Sequence, residues 1–161
     1  MKRLLSIFLA GLVLISLLPG CGERVKEPVT FYYLHSSYQE KMDAPIASEV
    51  RETAGHRDNL KYLLSFYLMG PVDKELYSPL PRGTILYQIE QAPGSVTITL
   101  SDTTNALSDS EFSLACACLS LTCMDLVSAS EVTVISGNRD LTMRRDNLIL
   151  TDIPINEETG T

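Results

Sequence analysis

Histidine is rare in this chain, which has only His35 and His56 among its 161 residues. Neither lies in an HExxH motif or in a recognisable nucleophile arrangement, so we interpret both as structural or surface residues. The sequence also lacks a CxxC pair and a glycine-rich phosphate loop, because GPVDKE and SGNRD have the composition of turns. The sequence therefore predicts no catalytic residue, no cofactor and no metal site, and we expect a protein that is not an enzyme.

Basic residues are scarce as well, since 13 lysines and arginines stand against 20 acidic residues. Loss of residues 1–20 would remove Lys2 and Arg3, which leaves 11 basic and 20 acidic residues and a formal net charge of −9. Such a surface repels nucleic acid and anionic lipid headgroups, so neither is an expected partner. The carboxylates are scattered, as on a solvated surface. Arg144 and Arg145 form the only basic doublet after residue 20, which we interpret as a salt-bridged surface, with an anion site as the alternative.

The start of the chain has the pattern of a secretion leader. Lys2 and Arg3 form a short positive region, and the next fifteen residues are uncharged and mostly apolar. This run is shorter than the roughly twenty residues of a transmembrane helix. The sequence LPGC at 18–21 resembles the bacterial lipobox, in which the cysteine is lipidated and becomes the new N-terminus. We therefore predict lipidation of Cys21, with an ordinary cleaved signal peptide or an uncleaved anchor as the alternatives.

Composition divides the chain into four parts. Residues 1–20 are the predicted lipoprotein signal peptide, and residues 21–28 are a polar tether from lipidated Cys21. Residues 29–152 suit a single domain with a modest core, and residues 153–161 resemble a frayed tail. Diacylation would hold the domain on the outer face of the cytoplasmic membrane of a Gram-positive-type bacterium, since two acyl chains anchor stably where one does not.

Hydrophobic periodicity and turn signals place the elements of the domain. Leu60, Leu63, Leu64, Tyr67 and Leu68 form one apolar helical stripe that Gly70-Pro71 ends. Val96, Ile98 and Leu100 form one face of a strand that follows a hairpin signal. The predicted helices are 58–69 and 111–127, the latter capped by Ser108 or Asp109, and the predicted strands are 29–35, 46–50, 85–90, 95–100, 131–136 and 148–151.

Three cysteines lie within nine residues, in the segment ACACLSLTC at 115–123. At about 100° per residue, Cys116 and Cys123 share one face of the predicted helix, whereas Cys118 points roughly 200° away from Cys116. Three thiolates that cannot face one point cannot share one zinc ion, and the spacings do not suit a disulfide. We predict free thiols that fill the core, with redox and metal roles as alternatives. Because the helix is apolar nearly all round, we expect it to be covered on more than one side.

In order along the chain, the segments VTFYYL, YLMGP, YSPLPRGTILYQIE, GSVTITLSD, ALSDSEFSLACACLSLTCMDL and VSASEVTVISGN resemble a GerMN domain, the module of sporulation and spore-germination lipoproteins. The resemblance covers residues 29–151. Its most specific part is the succession of a helix, Gly-Pro, Ser-Pro and Arg-Gly-Thr. The chain departs from the family at LVSASEV, where members usually have an FPGV-like turn, and in its long end RDLTMRRDNLILTD.

The resemblance implies an α+β, two-layer fold with a single small sheet and two main helices packed on one face, similar to ring-building motif domains. It also implies a non-catalytic module that contacts other envelope or sporulation proteins, with self-association as a further expectation. Members are implicated in sporulation, germination or cell-envelope assembly.

Two other functions compete with this interaction module. One is a small solute- or cell-wall-binding lipoprotein, which would need a concave site lined by aromatics such as Tyr32, Tyr33, Tyr62, Tyr67 or Tyr87. Their spacing fits core packing better. The other is a thiol enzyme that uses Cys118, which would need an accessible, reactive thiol.

Overall fold

The computed structural model describes residues 28–36, 45–53 and 55–148. Several predictions fall outside this part of the chain. They are the leader, the lipidation of Cys21, most of the tether, the tail and residues 149–151 of the last predicted strand. In the order of the chain, the elements are β1 Pro28–His35, β2 Ile46–Glu52, α1 Leu60–Leu68, β3 Leu76–Tyr77, β4 Leu86–Ala92, β5 Ser95–Leu100, α2 Asp109–Val127, β6 Glu131–Ser136 and β7 Arg139–Arg144.

These seven strands form two separate sheets. The first has the antiparallel order β2-β1-β3, and the second has the order β4-β5-β6-β7. In the second sheet β5 and β6 are parallel, and each pairs on its other side with an antiparallel strand. The predicted α+β class is confirmed. The expectation of a single sheet with both helices on one face is wrong, because α2 contacts β1 of the first sheet as well as β6 and β7 of the second.

Helix α2 covers one edge of β1, where a third long strand could otherwise have paired. The Tyr32 backbone N–H donates to Thr122 Oγ1 at 3.0 Å, and the Tyr32 hydroxyl donates to Asp125 Oδ2 at 2.8 Å. Every residue from 115 to 120 on α2 is buried. The prediction that this helix is covered on more than one side is therefore confirmed. Helix α2 is long and apolar enough to span a membrane by composition, and its burial between the sheets accounts for that composition here.

Local chemistry sets the ends of both helices. Ser108 and Glu111 form a capping box, in which the Ser108 hydroxyl accepts from the Glu111 N–H at 3.3 Å and Glu111 Oε2 accepts from the Ser108 N–H at 2.8 Å. The bonds from the Ser108 backbone and hydroxyl lower the pKa of Glu111. At the start of α1, Asn59 Oδ1 accepts from the Tyr62 N–H at 3.0 Å. After α1, Gly70 adopts a φ of 91°, which glycine tolerates without strain. Both predicted helices are confirmed.

The hairpin and the strand after α2 were also predicted correctly. Strands β4 and β5 are joined by the turn Pro93-Gly94, and Val96, Ile98 and Leu100 point into the core. Helix α2 connects the parallel strands β5 and β6, as such a pair requires. With Phe31 and Tyr33 of β1 and the apolar stripe of α1, these residues form one core.

The last strand of the described residues is β7, which was not predicted. It spans Arg139–Arg144 and is followed by a short 3₁₀ turn that ends before Leu148. The strand predicted at 148–151 lies, beyond Leu148, outside the described residues and stays a prediction. Half-buried and exposed residues alternate along β7, three of its six residues are charged, and none is fully buried. The strand forms the edge of the second sheet, where a strand can pair although most of its side chains are polar. A polar strand is hard to predict from the sequence because it lacks a buried apolar face.

Candidate functional site

The three cysteines of α2 are free thiols inside the core, as predicted. Cys116 is 1 % exposed, and Cys118 and Cys123 are not exposed at all. Burial raises the pKa of Cys116 and of Cys118 to about 12, and it also raises the pKa of Cys123. A reactive thiol needs access and a lowered pKa, and these thiols have neither. In the described residues, no group of three metal-ligating side chains comes together.

The histidines and the basic doublet have local structural partners. His35 Nε2 lies 3.9 Å from a carboxylate oxygen of Glu75, and the His56 ring packs against Tyr62 with the ring centroids 4.3 Å apart. Arg144 Nε donates to Glu131 Oε2 at 2.8 Å, which supports the salt-bridge interpretation. Arg145 donates to Met124 O at 2.7 Å, close to the C-terminal end of α2, where a cation is favourable.

The five tyrosines proposed for a binding site do not converge on one. Tyr33 and Tyr67 stack inside the core, with parallel rings 4.7 Å apart, and Tyr32 bonds to α2. Tyr62 and Tyr87 are exposed, and Tyr87 lines a cavity. That cavity has a volume of about 560 Å³ and lies between the segment 55–61 and strand β4.

A buried ion pair between Glu49 and Arg51 is the strongest polar cluster of the described residues. The side chains are 11 % and 8 % exposed. Arg51 Nη2 donates to Glu49 Oε2, to Gly70 O at 2.7 Å and to the Tyr33 hydroxyl at 3.3 Å. The guanidinium also lies 5.1 Å from the Phe66 ring centroid, and it faces two further aromatic rings of β1. Charged residues in a short alternating strand indicate a solvent-facing side, so the burial of this pair could not be predicted from the sequence.

The second oxygen of Glu49 holds the loop that follows α1. Glu49 Oε1 accepts from the backbone N–H groups of Val72 and Asp73 at 2.9 and 2.8 Å. Asp73 Oδ1 in turn accepts from the Glu75 N–H at 2.9 Å. Together with the bond from Arg51 to Gly70 O, these contacts fix the backbone between α1 and β3. The Gly-Pro break predicted from the sequence therefore begins a loop attached to β2.

This loop and the residues at its two ends present large apolar side chains to solvent. Met69 is 80 % exposed, Val72 is 76 % exposed and Tyr77 is 40 % exposed. We call these three residues the Met69 surface. Met69 and Tyr77 also line a cavity of about 390 Å³, whose other walls include Pro81 and Arg82. An apolar group on a fixed loop suits contact with another molecule better than it suits chemistry.

Comparison with known proteins gives one structural similarity. No protein-family model matches the chain, and no curated protein matches it. A crystal structure of a protein from Clostridium perfringens, described as a candidate lipoprotein, is similar with a TM-score of 0.43 and 16 % sequence identity. The match covers 75 % of this chain and 89 % of that chain. A similarity of this size does not establish a shared family.

Removing the hydroxyl group of Tyr33 or of Tyr67, whose rings stack, is expected to change the free energy of unfolding in opposite directions. Within the described structure the buried Tyr67 hydroxyl has no hydrogen-bond partner, whereas the Tyr33 hydroxyl donates to Tyr67 O at 3.1 Å. A buried unsatisfied hydroxyl costs about 1–3 kcal/mol, so Tyr67→Phe is expected to raise the free energy of unfolding by about 1 kcal/mol. Tyr33→Phe is expected to lower it by about 1 kcal/mol. Urea unfolding of both variants measures the difference, and equal destabilisation by both would contradict the assignment.

Proposed function

We propose that this chain is a lipoprotein, anchored through Cys21 on the outer face of the cytoplasmic membrane, whose folded domain is a non-catalytic interaction module. The observation that carries the proposal is the apolar leader followed directly by Leu18-Pro19-Gly20-Cys21. The lipid would confine the domain to two dimensions beside the membrane, where weak contacts with other envelope proteins become effective because of their high local concentration.

The order of motifs along residues 29–151 supports a GerMN-like module, and with it a role in sporulation, germination or cell-envelope assembly. The partners in this proposal are other envelope or sporulation proteins, or a second copy of the chain. The burial of Cys118 and its raised pKa support the non-catalytic part of the proposal, because an enzyme that used this thiol would need it accessible and ionised.

A small solute- or cell-wall-binding lipoprotein is the second candidate. The cavity of about 560 Å³ beside Tyr87 favours it. Against it, Tyr33 and Tyr67 are core residues and cannot stack on a ligand without unpacking β1 from α1. We therefore favour the interaction module.

Lipidation of Cys21 is tested by labelling with palmitate in a Gram-positive host. We expect the wild-type chain to incorporate the label and to stay with the membrane until detergent is added, and we expect Cys21→Ala to incorporate none. Loss of the label is the decisive result, because an unprocessed leader can itself hold the variant at the membrane. Gly22→Ala is the matched control, since it changes the neighbouring residue and keeps the thiol. A wild-type chain that is cleaved but unlabelled would indicate an ordinary signal peptide and overturn the proposal.

A further inference from the structure

The cavity of about 560 Å³ between the segment 55–61 and strand β4 has no role in the interaction module. Its volume lies in the range of about 300–1,000 Å³ that small-molecule sites occupy. One wall is the turn that leads into α1, and the other is β4, the edge strand of the second sheet. Because the walls belong to two different parts of the fold, the cavity exists only in the folded domain.

The first wall is held by local hydrogen bonds. The His56 N–H donates to Thr53 O at 3.2 Å, and the Asn59 N–H donates to His56 O at 3.1 Å. Asn59 Oδ1 accepts from the Tyr62 N–H at 3.0 Å, which leaves the amide NH₂ group of Asn59 as a donor at the cavity wall. A wall that is already ordered avoids the free-energy cost of ordering it during binding.

The second wall contains a β-bulge at Tyr87. Leu86 pairs with Leu100 and Gln88 pairs with Thr99, so Tyr87 is the extra residue in this register. Side chains of a regular strand alternate between the two faces, whereas these three consecutive residues of β4 all line the cavity. A bulge redirects side chains in this way, and Tyr87 is 62 % exposed. The strand therefore places an aromatic ring beside the cavity, where a ligand can reach it.

The lining is polar, but its charges balance. Asp58 and Lys61 supply one carboxylate and one ammonium group. Of the charged residues next to the lining in the sequence, Arg57 bonds to a backbone carbonyl and Glu90 accepts from an amide side chain, so they balance as well. Three amide side chains, which both donate and accept hydrogen bonds, complete the polar lining. They are those of Asn59, Gln88 and Gln91.

We propose that this cavity binds a neutral saccharide. A pyranose ring has a flat face of C–H groups, which packs against the exposed Tyr87 ring, and a rim of hydroxyl groups, which bond to the three amides. An ionic ligand would need an excess of one charge in the lining, and a purely apolar ligand would leave the amides without partners. The site adds a ligand to the interaction module, and it needs neither Tyr33 nor Tyr67, which stay in the core.

The cavity lies at the end of the domain where the tether enters. Arg57 Nη1 donates to Pro28 O at 3.0 Å, which places the first wall beside the start of β1. The tether from Cys21 to Pro28 spans at most roughly 25 Å when fully extended. If Cys21 is lipidated, as the proposed function requires, the saccharide is one found close to the membrane surface. Two sources there have this chemistry, namely the sugar headgroup of a membrane glycolipid and the glycan of the cell wall.

Saturation-transfer NMR of the full chain in phosphatidylcholine nanodiscs tests the site, with cellobiose as the probe. We expect transfer from the protein to cellobiose and none to sorbitol, an open-chain polyol that lacks the flat C–H face. Tyr87→Ala is expected to weaken cellobiose binding about tenfold or more, whereas Tyr87→Phe keeps the ring and retains most of the binding. Tyr77→Ala is the matched control, because Tyr77 is a tyrosine on β3 that is 40 % exposed outside this cavity.

The site is overturned by absence of transfer to cellobiose, by equal transfer to sorbitol, or by a loss in Tyr77→Ala as large as that in Tyr87→Ala. Gln91→Ala is expected to weaken binding about threefold, so the site remains testable if the loss of Tyr87 disturbs β4. Competition distinguishes the two sources of the sugar. A diglucosyl lipid in the nanodisc displaces cellobiose if the glycolipid is the source, and soluble cell-wall glycan fragments displace it if the wall is. Displacement by neither would overturn the proposal. Palmitate labelling measures lipidation independently, so failure of the saccharide site and failure of the anchor are distinguishable.

Discussion

Replacing Glu49 with alanine is expected to destabilise the protein by about 3–5 kcal/mol, because it leaves the Arg51 charge buried without its counterion. The same change removes the acceptor for the Val72 and Asp73 N–H groups, which hold the loop after α1. Arg51 keeps its bonds to Gly70 O and the Tyr33 hydroxyl, but neither of these neutral groups replaces a carboxylate. A loss of this size is a large fraction of the total stability of a small domain.

Equilibrium unfolding in urea measures this loss, and two other variants calibrate it. Glu131→Ala breaks the exposed pair with Arg144 and is expected to cost less than about 1 kcal/mol. The double variant Glu49→Leu/Arg51→Met replaces both charges with apolar groups and is expected to be more stable than Glu49→Ala, since no unpaired charge remains. If Glu49→Ala lowers the free energy of unfolding by no more than Glu131→Ala does, the buried pair does not stabilise the fold.

The Glu49–Arg51 pair illustrates which parts of this structure a sequence can predict. The helices were predictable, because their apolar stripes and caps depend on residues three or four positions apart. Glu49 bonds to Val72, and Arg51 bonds to Gly70, so the partners are about twenty positions apart on different elements. In a short strand, an alternation of charged and small residues indicates an exposed face. The face is buried because the loop after α1 packs over β2, and the sequence of the strand alone does not show this packing.

The division into two sheets could not be predicted from the sequence, for a related reason. The order of hairpin, helix and strand predicts that β5, α2 and β6 form one unit, as the structure shows. Nothing local predicts that the Tyr32 N–H bonds to Thr122, which lies 90 residues further along the chain. That bond directs β1 to a helix instead of a strand of the second sheet. The Met69 surface was predictable as a helix end but not as an exposed apolar group, because exposure depends on the same distant packing.

Alkaline pH is expected to unfold the protein steeply, because its three buried thiols resist ionisation. Burial raises the pKa of Cys116 and Cys118 from 9.0 to about 12 and raises that of Cys123 as well. A raised pKa in the folded state means that the unfolded chain releases these protons first as the pH increases. The stability associated with the neutral thiols is therefore fully present below pH 9 and decreases above it. The decrease is about 1.4 kcal/mol per pH unit for each thiol, or about 4 kcal/mol per pH unit for all three.

The slope of the free energy of unfolding against pH tests whether the thiols cause the loss of stability at alkaline pH. Urea unfolding of the full chain, kept reduced, at intervals between about pH 8 and pH 11 measures that slope. Cys123→Ala lowers stability at neutral pH by creating a small cavity, but it also removes one titrating group, so its slope between pH 9 and pH 10 is expected to be about a third smaller. Burial raises the pKa of Tyr32, Tyr33 and Tyr67 too, and these groups add to the slope only above about pH 10. Between pH 9 and pH 10 the thiols therefore contribute most of the slope. A free energy of unfolding that is constant over this interval would contradict their burial as neutral groups, and so would a slope that Cys123→Ala leaves unchanged.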